Sequence, residues 1–424
     1  MQSRFCSKSK NKQPTTNNQQ PTTNNHMNLP AKFWIVTFIT FINSVCFTIL
    51  IPTLYPYAKQ LGLSDFQASL LTTAFAISQF IATPILGRLS DFLGRRPLLI
   101  ISLFGTVLAN LLASVSSTAL FLFLARILDG LTGGNNSIAR AVISDTIPAA
   151  ERPKAFGFFD AAFRLGFVTG PAISFFAQSL PTFPGVTPLG MSFFVAAAIA
   201  FIATALTFFF LPETLLQRAK IQLGWQMLGL GKILQSARHP KLGRLFLLTF
   251  FSGCTFTIFT FAFQPFFLNV LQEDARSLAV MFTLIGVVGV ITQIFAVAPL
   301  TKRFNLADIL FGAIATRSFV FLMIPTFPTL TPFVLLFIIL GVSSSFPMPL
   351  IASILSINTS DQEQGEVMGI NSSYLSISNV IGPTIAGLLV SISYSTPFWV
   401  AGVLTVFTAG FALSLKSMLK CNRK

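Results

Sequence analysis

The stretch "GRLSDFLGRRP", residues 87–97, carries four charges, yet on each side of it lies an apolar run long enough to cross a bilayer. Gly87 and Gly94 permit a sharp reversal, and Pro97 suits the first turn of the helix that follows. Arg88, Arg95 and Arg96 place the loop on the cytoplasmic side by the bias of basic residues toward that face. Asp91 is the odd member, since an acid gains nothing from that bias. Two uses stand for it: it accepts hydrogen bonds from Arg95 at i+4, or it sits at the N-terminus of a neighbouring helix. Either makes a latch that breaks when the protein rocks.

Outward from this loop, the composition agrees with a membrane protein. Of 424 residues, 53% are hydrophobic and 10% charged, against roughly 25% charged in an average soluble domain. Forty-eight phenylalanines exceed what a soluble fold of this size can cover, so most face lipid or one another. The net charge of +15 falls in short basic runs between apolar segments, which is a topology pattern and not a nucleic-acid-binding face. Cys6, Cys46, Cys254 and Cys421 show neither metal spacing nor a close pair, so no disulfide framework is expected. Residues 1–30, including "QPTTNNQQPTTNN", form a polar tail with nothing apolar to bury and are expected to be disordered. The apolar run that follows is too long for a cleavable signal peptide, and Met27, before "NLPAKFW", is an alternative start.

Runs of about twenty apolar residues predict twelve spans. Six lie near 33–55, 67–86, 97–117, 119–143, 154–178 and 190–211, forming an N-terminal six-helix bundle over 31–211. Six more, near 243–269, 276–299, 306–327, 332–354, 366–391 and 396–415, form a C-terminal bundle over 243–415. Between them, 212–242 is a cytoplasmic linker whose basic residues, Arg218 to Arg244 at its boundary, face one acid, Glu213; an interfacial amphipathic helix is one form it takes. Residues 416–424 are a basic cytoplasmic tail. With this topology one side holds twenty-two Lys and Arg, the other holds Lys59 and Arg276, and four lie inside spans; both termini are therefore placed in the cytoplasm. The halves also repeat weakly. Gly157, Gly170, Pro171 and Ile173 recur 212 positions later as Gly369, Gly382, Pro383 and Ile385, and an offset of 211 takes Gly130 to Gly341 and Leu89 to Leu300.

Gly87, Leu89, Asp91, Gly94, Arg95 and Arg96 resemble the signature loop of the major facilitator superfamily, Gly-x-Leu-x-Asp-x-x-Gly-Arg-Arg. The counterpart in the second half, "APLTKRFN", has Ala298 and Lys302 where Gly and Asp stand, which puts a second latch in doubt. Arg126, Gly130 and Gly134 of "ARILDGLTGGNNSIAR" resemble the family's Arg-x-x-x-Gly-x-x-x-Gly motif, whose arginine the resemblance ties to proton transfer. Arg126 and Asp129, three apart, equally make a structural ion pair. Gly157, Gly166, Gly170 and Pro171 of "GFFDAAFRLGFVTGP" resemble the exporters' antiporter motif, Gly-x8-Gly-x3-Gly-Pro, though Ser174 and Phe175 replace its trailing glycines. Physically it is a hinge and packing seam, with or without a bearing on transport direction. Together these imply an all-α integral membrane fold of two pseudo-symmetric bundles, similar to the twelve-span drug:proton antiporters and the tetracycline-efflux exporters.

Two charges in the same stretch belong to no motif. Asp160 and Arg164 lie one turn apart, near the depth of Arg140 and of "GGNN". They either neutralise themselves with Arg140, or Arg164 faces a central cavity while Asp160 shares its proton traffic. Tetracycline-efflux relatives often have an acid in span 1; here Asn43 stands there, and an amide carries no proton, so Asp129 or Asp160 does it or coupling is absent. In the second half Arg317 is the charge well inside, with Gln264 and Gln293 as polar contributors, and the aromatic C-terminal half is expected to line an apolar pocket.

The expected function is proton-coupled export of a hydrophobic or amphipathic small molecule by alternating access, with protons and the lipid bilayer as further partners and no cofactor, metal or nucleic acid. Rival readings are a facilitator or importer of a small metabolite on the same fold, and a non-transporting sensor or assembly factor. His26 and His239 lie in polar segments and no span holds a nucleophile cluster, which argues against an enzyme.

Overall fold

In the computed structural model, residues 29–148, 151–218, 229–240, 242–360 and 362–421 are described, without the side chains of 153 and 414–421. Of the tail expected to be disordered, residues 1–30, all but 29 and 30 lie outside this set, as does the middle of the linker at 219–228.

Every crossing expected from the apolar runs is helical. The first half contains α1 (Ala31–Thr48) and α2 (Ile51–Gln60) as one broken crossing, then α3 (Asp65–Leu93), α4 (Arg95–Ser114), the broken pair α5 (Ala119–Leu131) and α6 (Asn135–Thr146), α7 (Arg152–Ala177) and α8 (Pro188–Phe210). A short helix, α9 (Leu230–Ser236), stands in the linker. The second half contains α10 (Gly243–Asn269), α11 (Ala275–Thr292) continued through a π turn at Gln293–Val297 into α12 (Ala298–Arg303), and α13 (Leu306–Met323). It ends with α14 (Leu330–Ser344) and α15 (Pro347–Ile357), α16 (Gln364–Val390) and α17 (Thr396–Cys421). Ten of the twelve crossings are long and apolar enough to span a membrane by length and composition alone. The two that are not are α5–α6, interrupted at Thr132–Gly134, and α7, diluted by Asp160 and Arg164. Charge, not length, removes α7 from that set.

The helices pack by small residues, as expected where lipid offers no hydrophobic drive. On α1, Ser44 Oγ donates to the Phe163 carbonyl at 2.7 Å and Thr48 Oγ1 to the Gly166 carbonyl at 2.7 Å. A Cβ at Gly166 would overlap Ser44, and one at Gly170 would overlap Thr48. The second half repeats this seam between α10 and α16. A Cβ at Gly382 would overlap Thr257, whose Oγ1 donates to the Ser378 carbonyl at 3.1 Å, while Gly253 abuts Ser378. Ser44 and Thr48 become Gly253 and Thr257, each 209 positions on, and Gly166 becomes Ser378, 212 on. The glycine has changed helix while the gap it fills is kept. Both α7 and α16 run unbroken through their prolines. Pro171 has no N–H for the Phe167 carbonyl, and that carbonyl lies 3.2 Å from where Gly286 of α11 would carry a Cβ.

Candidate functional site

Contacts between the halves run from the ends remote from the linker to mid-depth. Arg276 donates to Ser179 and lies 4.9 Å over the Phe175 ring; Gly387 abuts Ser69; Thr73 and Thr384 share a hydroxyl hydrogen bond of 2.8 Å; Gly286 meets Phe167 and Val168. Nearer the linker, Gly87, Gly157, Gly365 and Gly369 have no atom within 4 Å of where a Cβ would stand. With the described contacts between the halves gathered at the far end and mid-depth, the space between them is a cleft whose open end is toward the linker. Gly157 and its repeat Gly369 therefore fall outside the packing seam expected of them, which rests on Gly166, Gly170, Pro171, Gly382 and Pro383.

One face of α7 looks into this cleft. Helical spacing puts Asp160, Arg164 and Phe167 on a common face, whereas Phe158, Leu165 and Phe176, 42%, 50% and 67% exposed, lie on the opposite side where lipid would be. Asp160 accepts from Arg140 Nη2 at 2.6 Å, with both side chains about half exposed. The Arg140 guanidinium also covers Phe159 at 4.9 Å and Phe156 at 5.6 Å, so its charge is shared between an acid and two rings. Arg164 is exposed and takes part in no ion pair among the described residues. Of the two readings the sequence left open for these charges, the three-charge cluster is reduced to the Asp160–Arg140 pair, and Arg164 stands outside it.

Arg126 and Asp129 take the structural arrangement. Arg126 Nη1 meets Asp129 Oδ2 at 2.8 Å, the two residues are 5% and 7% exposed, and the Arg126 guanidinium lies 4.4 Å over Phe75. Gly130 presses against the Phe75 carbonyl, fixing α5 on α3. Asn43 of α1 accepts from Asn135 Nδ2 at 2.9 Å, which ties the first crossing to the break in the fourth. The pairing is incomplete, because Arg126 Nε and Asn135 Oδ1 are buried without a hydrogen-bond partner, and an ion pair at this depth repays its desolvation only with good geometry.

Two expected cavity residues are not in the cavity. Arg317, 2% exposed, donates to Ser252 Oγ at 2.9 Å and Thr255 Oγ1 at 3.2 Å inside the second bundle. Gln264, 6% exposed, bonds the Thr260 carbonyl of its own helix at 3.4 Å. The expected aromatic pocket is also absent from this region. Phe259, Phe263, Phe333 and Phe337 stack on one another, with Phe263 and Phe337 centroids 4.9 Å apart, and fill the core instead of lining a space. Rings recurring at i and i+4 on α10 meet each other before they meet a ligand. Two open, shallow apolar spaces lie on the outer flanks: one of about 530 Å³ between Leu111 and Phe194, and one of about 320 Å³ between Ile309 and Phe346, neither lined by a charged residue.

The signature loop closes within its own half. Asp91 meets Arg95 Nη1 at 2.5 Å; Arg95 also reaches Asp145 Oδ2 at 2.9 Å and Ser90 Oγ at 2.6 Å. The carboxylate of Glu213 accepts from the backbone N–H groups of Arg95, Arg96, Thr214 and Leu215 at 3.0, 3.3, 2.8 and 2.9 Å. Burial pushes the Glu213 carboxyl up, but those four N–H groups outweigh it and hold it below the usual carboxylate range. Gly94, at φ 115° and ψ 152°, leaves room for it, because a Cβ there would overlap the Glu213 carboxylate. Asp145 and Glu213 were not legible as partners, since both stand about fifty residues or more from the loop they hold.

Comparison with known proteins gives the same answer along most of the chain. The family model described as Major Facilitator Superfamily matches residues 35–240 and 245–417. Multidrug resistance protein 1 of Bacillus subtilis (strain 168) is 29% identical over 87% of this chain and 91% of its own. Tetracycline resistance protein, class B, of Escherichia coli is 30% identical over 88% of this chain and 91% of its own. Among solved structures, a bacterial homolog to the human lysosomal transporter Spinster, inward-facing and unoccupied, superposes with a TM-score of 0.75 at 14% identity, covering 92% of this chain and 97% of that one.

Proposed function

The chain belongs to the Major Facilitator Superfamily and is a multi-pass membrane transporter of a small molecule, and from that premise we propose that it exports amphipathic compounds in exchange for protons. The observation that carries this reading is the placement of Asp160: an acid inside a membrane-crossing helix, one turn to the linker side of its middle, about half exposed, whose charged partner among the described residues is the equally exposed Arg140. Asp129, the other acid at such depth in this half, is sealed against Arg126 and Phe75. A proton carrier has to be reached by water from one side at a time, and Asp160 meets that condition in the open cleft. Its protonation would release Arg140, so proton and substrate act on one charge balance while the seams of α7 and α16 allow the halves to rock. Such coupling requires each ligand to favour one orientation, since equal affinity for both shifts nothing. The names of the relatives, which refer to multidrug and tetracycline resistance, support the class of substrate.

With the basic loop and linker on the cytoplasmic side of the plasma membrane, and both termini with them, the cleft opens inward. In proteoliposomes, tetracycline and amphipathic dyes should move against an imposed proton gradient. Asp160→Asn should lower gradient-driven flux about tenfold or more while leaving downhill exchange, whereas Asn43→Ala should leave the gradient dependence in place. Flux that ignores the gradient in the wild type would remove the antiport reading.

A further inference from the structure

We infer that the cleft takes compounds bearing an anionic group, carboxylate-like in chemistry, and that Arg164 is the residue that binds it. This rests on the reading of the cleft as the substrate path. Arg164 lies twelve residues into α7, roughly 18 Å along it at about 1.5 Å per residue, and so near the middle of an apolar layer about 30 Å thick. Its side chain is too short to reach either surface from there. An arginine at that depth is tolerated when it faces water or an anion. The acid on its own face, Asp160, is held by Arg140, and the three groups together leave one positive charge.

The surroundings fit an amphipathic anion. The Phe163 and Phe167 rings lie tilted with centroids 5.4 Å apart next to Arg164, and Phe47 of α1 joins Phe167 at 6.2 Å. Phe47 and Phe167 are 37% and 38% exposed, so a ring surface stands open beside the cation. On the other half, the positions equivalent to Asp160, Arg164 and Phe167 are Ser372, Ser376 and Asn379, polar and uncharged. Phe256, at the position equivalent to Phe47, is 36% exposed. One wall therefore supplies a charge and rings, and the facing wall supplies hydroxyl and amide groups. A guanidinium offers a carboxylate two parallel charge-assisted N–H bonds, whereas a neutral amide accepts through one uncharged oxygen and a cation is repelled.

Equilibrium binding to the purified full chain in neutral detergent tests this with three matched probes: 2-naphthylacetate, 2-naphthylacetamide and a 2-naphthylethylammonium salt. The carboxylate should bind at least about tenfold more tightly than the amide, and the cation least well. Arg164→Gln should bring the carboxylate down to the amide's affinity, with an unchanged unfolding temperature in detergent as the check on folding; Arg164→Lys should keep part of the preference. Lack of carboxylate preference in the wild type, or equal loss of all three probes in Arg164→Gln, overturns the inference. So does displacement of the carboxylate by phosphatidylglycerol but not phosphatidylcholine, which would make a lipid headgroup the occupant. Because the assay has no gradient, charge-selective binding without proton-driven flux would sink antiport alone, and gradient-driven flux without charge selectivity would sink this inference alone.

Discussion

At the scale of single residues, two arginines of the N-terminal half, each within about one turn of an acid on its own helix, do opposite work. Arg126 is buried, paired and covered by Phe75, while Arg164 is open and unpaired among the described residues. The difference is their neighbours: Asp129 is three residues from Arg126 on the same turn, whereas the acid one turn from Arg164 is taken by Arg140 across the gap. Gly94 is the other residue whose role is set by a distant partner. Its φ of 115° belongs to a region that only glycine enters freely, at a cost of order 1–3 kcal/mol for other residues, and a methyl group would also push Glu213 off the α4 N-terminus. Gly94→Ala is expected to lower the unfolding temperature in detergent and to reduce transport, with the larger loss in Gly94→Val; a melting temperature equal to wild type would contradict the clamp.

At the scale of helices, the duplication is clearer in the structure than in the sequence. The fourth and tenth crossings break at matching places, Gly134 and Ser345 being 211 apart, and both breaks are followed by a short helix toward the linker end. The seams α1–α7 and α10–α16 are one construction in which the smallest residue sits on either partner. That exchange makes a prediction. Gly166→Ser should overfill the first seam and destabilise the protein by about 1–3 kcal/mol, and adding Ser44→Gly, which copies the Gly253 and Ser378 arrangement, should recover most of the loss. Thermal unfolding of the two single variants and the double one decides it, and additive losses would show that the seams are not equivalent.

At the scale of the whole molecule, the two bundles meet through the far ends of α3, α7, α11 and α16 and part toward the linker. Alternating access requires the far contacts to open. Thr73 and Thr384, whose hydroxyls are 2.8 Å apart, are close enough for a disulfide after small adjustment. Oxidised Thr73→Cys/Thr384→Cys is expected to stop turnover, with reductant restoring it, while each single variant transports. Continued turnover with the crosslink formed would mean that the far end does not open during transport.

The sequence by itself determined that the chain spans a membrane twelve times in two related halves, because apolar run length and basic-residue bias are local properties that survive without any tertiary contact. It also marked charged positions inside the spans, Arg126, Asp129, Arg140, Asp160 and Arg164, because charges inside apolar runs stand out. Only the tertiary structure decided which of them pair, since partners such as Asp160 with Arg140 and Arg95 with Asp145 come from different helices and are chosen by helix rotation and depth. The same holds for Arg317 and Gln264, which a linear reading assigned to a cavity. Packing in the second bundle turned them inward, against the hydroxyls of Ser252 and Thr255 and against the carbonyl of Thr260, where a buried polar group finds partners without solvent.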